Sequence, residues 1–209
     1  MGKSKLNYKV YNGKTIKKLI ENSRIFLLTL LFVIGLLTGA TIIKVNSEAV
    51  NRIPELINSY ISFKAEHEIL QNFCNSITVV LFFFIINTFL GFSLIGYVFL
   101  TAVPLLKGLG LGAVSGYLYA SYKLTGLAYC LLIIYPGAVV STFALIIACN
   151  DSCEYSKNAY AKAIVGRGQF EKDETRIYLI RQLILCGVCA VSSAIDAFSG
   201  LIFSRFFEI

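Results

Sequence analysis

Charged residues are scarce in this sequence and are absent from long parts of it. They make up 15% of the 209 residues, whereas soluble domains carry about a quarter. Most of the charges present cluster in residues 1–24, 44–68 and 151–181. A soluble chain of this length spreads charge over every exposed element, while a charge at the bilayer centre costs roughly 2.5–3.5 kcal/mol. The pattern therefore argues against a soluble domain and predicts an all-α, polytopic membrane helix bundle.

Residue types that carry chemistry are also few. His67 is the single histidine, and one histidine without a partner does not make a metal or catalytic site. Cys186 and Cys189 have the spacing of a metal motif, and Cys149 and Cys153 lie one helical turn apart. Because these cysteines lie in or next to apolar segments, small apolar side chains explain them better than metal ligands. We expect no catalytic residue, no cofactor, no metal and no enzymatic activity.

The uncharged stretches predict five transmembrane helices. Residues 25–43 form an uncharged run of 19 residues, which just spans a hydrocarbon core of ~30 Å at ~1.5 Å per residue. This run is longer than the apolar region of a signal peptide, so we expect it to be retained. Residues 69–106 carry no charge and exceed one span, and Pro104 marks the turn between two spans. The predicted spans are 25–43, 77–99, 105–122, 127–149 and 178–203.

The basic residues predict the orientation of these spans. With the N-terminus cytoplasmic, fourteen of the nineteen Lys and Arg residues lie on the cytoplasmic side, as the positive-inside rule requires. The C-terminus is then extracytoplasmic, residues 1–24 and 150–177 are a cytoplasmic tail and loop, and 44–76 form an extracytoplasmic loop. Topology explains the net charge of +7, and we expect no binding to nucleic acid.

Local patterns refine this outline. After Pro54, apolar residues at helical spacing indicate an amphipathic helix in the outer loop, lying on the membrane, on a partner or on the bundle itself. The short linker from Lys123 to Gly126 predicts a tight hairpin between the third and fourth spans. Pro136 and Gly137, in the middle of the fourth span, predict a helix kink.

Glycines recur every four residues in the third span. Gly108, Gly112 and Gly116 share one helix face, and Gly110 lies off that face. Such a row lets another helix backbone approach closely, which favours helix packing, although it could also form a thin wall along a substrate path. Lys107 precedes the row and can extend its ammonium group to the membrane interface.

Asp196 is the acid that lies deep in a predicted span. Intramembrane acids are costly and usually have a purpose. Serines one turn before and after it could hydrogen-bond its carboxyl group. The residue is therefore either a polar packing contact or part of a proton or cation relay. A relay usually needs several such groups, and Asn87 is the nearest candidate for a second.

These motifs resemble the stage II sporulation protein M family. The resemblance rests on the Gly-rich stretch 105–119, on Tyr135-Pro136-Gly137, on Asp196 late in the last span and on the order of the parts. Many relatives have Glu at the position of Asp196, and a proline that often follows a few residues later is absent here. Broader relatives also carry a His and a Glu in the fourth span, which this sequence lacks.

The resemblance implies a membrane anchor of the engulfment machinery in endospore-forming bacteria. It implies a non-enzymatic scaffold that localises wall hydrolases at the septum. The implied partners are membrane lipid and the peptidoglycan-degrading stage II sporulation proteins D and P. The alternative is a membrane subunit of a transporter or permease, with Pro136, Gly137 and Asp196 at a site near the midplane.

Overall fold

The computed structural model describes residues 23–43, 69–164 and 172–203, and within these ranges the chain is helical, without strands. The predicted amphipathic helix after Pro54 and most of the basic tail lie outside the described residues. The helices are α1 (Ser23–Ile43), α2 (Ile69–Phe92), α3 (Gly96–Phe99), α4 (Ala102–Tyr129), a π-helix (Cys130–Ile134), α5 (Tyr135–Ala163) and α6 (Lys172–Phe203).

Four helical runs in the described residues are long and apolar enough to cross a membrane. They are Ser23–Ile43, Phe73–Phe92, Gly96–Ala163 and Asp173–Gly200. The third run has 68 residues, and a straight helix of that length would measure ~100 Å, about three times a hydrocarbon core.

Lys123 divides this long run into two arms. Its backbone has φ 51° and ψ −124°, a conformation that side-chain-bearing residues rarely adopt. Beyond it the chain turns back, so that Gly126 packs on the carbonyl group of Leu118. Farther from the turn, Ser115 Oγ lies 3.2 Å from Tyr135 Oη. The long run is therefore an antiparallel hairpin formed by residues 102–122 and the chain after Lys123. Its turn lies at the linker from Lys123 to Gly126, where the sequence predicts a hairpin.

α5 occupies the centre of the bundle. It packs against α2, α3, α4 and α6, and its apolar residues share a buried cluster with Leu28 of α1. α2 runs parallel to α5, because Asn87 contacts Ser152 and the later residue Ser93 contacts Ser156. α5 therefore contacts residues from all the other long helices.

The remaining helices alternate in direction. α6 runs antiparallel to α2, since Ser76 bonds to Asp196 while Asn87 lies beside Gln182. α1 runs parallel to the first arm of α4, because residues 32, 36 and 40 approach residues 108, 112 and 116 in the same order. Successive long helices therefore point in opposite directions along the bundle.

α2 differs in extent from the predicted span 77–99. It begins at Ile69 and ends at Phe92, and the chain bends before the short helix α3. Ser156 Oγ donates to the Ser93 carbonyl oxygen at 2.6 Å and accepts from the Tyr97 N–H at 3.1 Å, so it satisfies backbone groups that the bend releases. Neither a charge nor a proline marks the bend in the sequence.

α5 and α6 both extend into the polar segment 150–177. Tyr155 Oη and Thr175 Oγ1 lie 2.9 Å apart, and Lys162 pairs with Glu174. The described ends of this segment are therefore helical, and they are held together by polar contacts between the two helices.

Candidate functional site

A cleft separates α2 from the first arm of α4. Its volume is about 490 Å³, and α5 and α6 form its floor. The walls are largely apolar, with Val79 and Phe83 on α2 and Leu106 and Val114 on α4. The polar groups that line the cleft are Asn75, Ser76, Thr78, Lys107, Ser141, Ser192, Ser193 and Asp196.

Lys107 crosses the base of the cleft. Its ammonium group donates a hydrogen bond of 2.9 Å to Ser141 Oγ on α5, and Ser141 in turn donates to the Ala138 carbonyl oxygen at 3.1 Å. The side chain is thus directed across to α5. The sequence had suggested the other direction, with the ammonium group extended to the membrane interface. A hydroxyl acceptor offsets part of the cost of placing this charge between helices.

Asp196 lies on the opposite side of the cleft. Its carboxylate accepts a hydrogen bond of 2.5 Å from Ser76 Oγ on α2. The sequence analysis noted that nearby serines could bond to the carboxyl group; Ser192 donates instead to the Gly137 carbonyl oxygen at 2.6 Å and Ser193 to that of Cys189 at 3.1 Å. Ser76 was not identified from the sequence, because a serine in an apolar helix carries no signal of its distant partner.

Pro136 and Gly137 lie at a close approach of α5 to α6. The π-helix Cys130–Ile134 ends just before Pro136, which has no N–H to continue the hydrogen-bond ladder. A Cβ atom on Gly137 would lie 2.8 Å from the Cβ atom of Asp196. The absence of a side chain at Gly137 therefore allows Asp196 to lie against α5.

The glycine row of α4 faces α1. A Cβ atom on Gly108 or Gly112 would overlap the carbonyl oxygen of Phe32 or Leu36, and one on Gly116 would lie 2.9 Å from Ala40 Cα. Backbone therefore meets backbone along this interface, and no flexible side chain can yield.

Two further glycines, on α1, complete the interface from the other side. A Cβ atom on Gly35 or Gly39 would overlap the carbonyl oxygen of Leu105 or Leu109. The Gly35–Gly39 spacing of four residues is the signal in the sequence that would have found them. Gly110 is different, since a Cβ atom there would meet nothing within 4 Å, and it lines the cleft.

Asn87, the sequence candidate for a second relay group, lies outside the cleft. It belongs to a buried polar cluster in which Asn87 Nδ2 donates to Ser152 Oγ at 3.0 Å. Gln182 Nε2 donates to the same oxygen at 3.1 Å, and Tyr178 Oη lies 2.9 Å from it. The cluster ties α2, α5 and α6 together at a distance from Asp196.

The cysteines are free thiols, and all except the exposed Cys74 pack among the helices. Cys149 and Cys189 are almost fully buried, and Cys153 is buried beside the backbone of Tyr97. Within residues 23–43, 69–164 and 172–203, no group of three or more His, Cys, Asp or Glu residues could hold a metal ion.

A bundle of several helices that are long and apolar enough to cross a membrane defines a multi-pass membrane protein. This chain belongs to the stage II sporulation protein M family, because the family described as Stage II sporulation protein M matches residues 28–199. The match confirms the family resemblance, and its bounds include the glycine row, Pro136, Gly137 and Asp196. No curated protein and no solved structure matches the chain significantly.

Proposed function

We propose that the chain crosses the membrane five times, with a cytoplasmic N-terminus and an extracytoplasmic C-terminus. The alternating directions of α1, α2, the two arms of the α4–α5 hairpin, and α6 support five consecutive crossings. The distribution of Lys and Arg supports the orientation.

We further propose that the protein is a non-enzymatic scaffold that localises septal peptidoglycan hydrolases during engulfment. The observation that carries this proposal is the family match over residues 28–199. The proposed partners are stage II sporulation proteins D and P, and the proposed location is the septal membrane of the mother cell. A protein bound to a wall hydrolase needs an extracytoplasmic surface, which the outer loop and the outer helix ends would provide.

Deletion of the gene in its host tests the scaffold. Membrane staining of sporulating cells should show septa that form but are not engulfed, and a fluorescent fusion to the hydrolases should lose its septal focus. Re-expression of the wild-type chain should restore both. Normal engulfment in the deletion strain would remove the sporulation role.

A second candidate is a membrane subunit of a transporter or permease. The observation that favours it is the placement of Lys107 and Asp196 on one cleft among the helices. A gene for an ATPase beside this gene would support transport, and a gene for a sporulation hydrolase would support the scaffold. If transport uses proton transfer through Asp196, Asp196→Asn should abolish it.

A further inference from the structure

We propose that Arg24 and Lys157 form a binding site for the phosphate group of an anionic phospholipid of the phosphatidylglycerol class. The site lies at the end of the bundle where α1 begins, beside the later part of α5 and the short helix α3. The inference does not depend on the scaffold role or on the orientation in the membrane, because it rests on the contacts and surroundings of these two side chains.

Arg24 has an ion pair but no hydrogen bond within the described residues. Its Nη2 atom lies 3.9 Å from Glu154 Oε2 on α5, which is longer than the ~2.7–3.2 Å of an N–H···O hydrogen bond. Its Nε atom is buried without a hydrogen-bond partner. The side chain is still 21% exposed, so a ligand can reach the guanidinium group, whose planar fork of N–H groups suits a phosphate.

Lys157 supplies the second positive charge. Its ammonium group lies 5.4 Å from the centroid of the Tyr97 ring on α3, and within the part of the chain that the structure describes no carboxylate pairs with it. Lys157 is also exposed. A contact with the face of a ring leaves the three N–H donors of the ammonium group without an acceptor, so they can bind an anion.

The two cations lie on the same side of α5. Arg24 contacts Glu154, and Lys157 follows Glu154 by three residues, a spacing that places both positions on one helix face. The Cys153 thiol is buried beside the carbonyl oxygen of Tyr97, and both cations lie close enough to this thiol to interact with it electrostatically. The two positive charges therefore converge on one region between α1, α3 and α5, and an anion in that region is attracted by both.

Exposed apolar surface begins directly beside these charges. Arg24 is the last charged residue before the uncharged run 25–43, and Phe26 and Leu27, within the next turn of α1, are exposed. On α3, Phe99 is exposed as well. The chemistry that matches such a boundary is an anion attached to apolar chains, because a soluble anion would leave the apolar side uncovered. A phospholipid combines the two.

The charge around the site favours an anionic lipid over a zwitterionic one. The sequence before Arg24 contains six lysines and one acid, which add positive charge on the same side without forming part of the site. Each basic residue beside a membrane segment strengthens the attraction to anionic lipid by about fivefold. Glu154 acts in the opposite direction, because its carboxylate competes with a phosphate for Arg24.

Lipid retention by the purified full chain tests the proposal. The protein would be extracted in mild detergent, incubated with dioleoyl phosphatidylglycerol or dioleoyl phosphatidylcholine, and analysed by native mass spectrometry and thermal unfolding. Phosphatidylglycerol should be retained at least about fivefold better and should raise the Tm, because phosphatidylcholine carries a cation beside its phosphate. Inorganic phosphate at the same concentration should neither raise the Tm nor displace the lipid.

Charge variants locate the site. Arg24→Gln and Lys157→Gln should each lower the retention of phosphatidylglycerol by about fivefold. Lys123→Gln, which removes the same charge at the exposed turn between α4 and α5, should leave retention unchanged. Lys157→Gln should fold normally, because this side chain is exposed. Glu154→Gln should increase retention, since no carboxylate then competes for Arg24, whereas a purely structural role of the ion pair predicts no gain.

Equal retention of the two lipids, or undiminished binding by folded Arg24→Gln and Lys157→Gln variants, would overturn the proposal. So would displacement of the lipid by inorganic phosphate, which would make a soluble anion the occupant. An equal loss in Lys123→Gln would also overturn it, because net charge alone would then explain the binding. A failed engulfment experiment would leave these results unchanged, so the two proposals can fail separately.

Discussion

At the scale of single residues, glycines two positions apart on α4 have different roles. Gly112 meets the backbone of Leu36, while Gly110 faces the open cleft. In the middle of a helix, replacement of an open glycine by a residue of higher helix propensity adds stability. The same replacement at a backbone contact forces two helices apart.

We therefore predict opposite effects of leucine at these two positions. Gly112→Leu should prevent α1 from packing and destabilise the protein by about 1–3 kcal/mol or more, the usual range for overpacking. Gly110→Leu should leave the Tm unchanged or raise it. Accumulation in membranes and the Tm in detergent measure both. A Gly112→Leu variant as stable as the wild type would contradict the close contact between α1 and α4.

Asp196 is a second residue whose role can be tested through one contact, its hydrogen bond with Ser76. In Asp196→Asn, the side-chain oxygen can still accept from Ser76 Oγ, so we predict normal accumulation and a similar Tm. Asp196→Ala removes the acceptor and should destabilise the protein by about 1–3 kcal/mol. Because Ser76→Ala removes the other partner, a double-mutant cycle with Asp196→Ala should show coupling. Independent effects of the two substitutions would argue against the contact.

At the scale of elements, the hairpin between α4 and α5 depends on an unusual backbone. Lys123 has a positive φ, and such strained conformations cost roughly 1–3 kcal/mol. Glycine adopts them without a steric penalty, although it also loses more conformational freedom on folding. The turn is thus held by packing on either side of it, including the contact of Gly126 with Leu118.

We predict that Lys123→Gly raises the stability by about 1 kcal/mol, the difference between the relief of strain and the added entropy cost. Lys123→Ala is the matched control, since it removes the same charge but keeps a Cβ atom, and it should not stabilise the protein. Thermal unfolding of the two variants in one detergent measures the difference. Equal Tm values would show that the backbone at this turn is not strained.

A second feature at this scale is the buried polar cluster of Asn87, Ser152, Gln182 and Tyr178. It joins three helices through hydrogen bonds, in a region where each unpaired polar group is costly. We predict that Asn87→Leu destabilises the bundle by about 1–3 kcal/mol, because the polar groups of Ser152 and Gln182 lose a partner. Phe89→Leu, on the exposed face of the same helix, should have little effect on the Tm.

At the scale of the whole molecule, the proposed five crossings make a prediction about sidedness. A reporter that works only in the cytoplasm should be active when fused between α5 and α6 and inactive when fused after Ile209. A reporter that works only outside should give the opposite result. Activity of the cytoplasmic reporter at both positions would place the C-terminus in the cytoplasm. That result would contradict five crossings with a cytoplasmic N-terminus.

Much of the helical framework was predictable from the sequence because it depends on local composition. Hydropathy and charge identify the long apolar helices, since the cost of charge in hydrocarbon applies to each segment separately. The hairpin turn also has a local signal in the short linker from Lys123 to Gly126. The bend after Phe92 has no comparable signal, because a serine of α5, far away in the sequence, satisfies its backbone groups.

The cleft was decided by the tertiary structure alone. The sequence singles out Asp196 as a rare intramembrane acid and Lys107 as a basic residue near a helix end, but it does not indicate that they share a cavity. That proximity arises because α1 holds α4 through glycines, while α2 and α6 both pack against α5. The sequence by itself determined that the chain resides in a membrane and which family it resembles, because composition and short motifs suffice for both. Only helix packing decided which polar groups meet, since their partners lie on helices distant in the sequence.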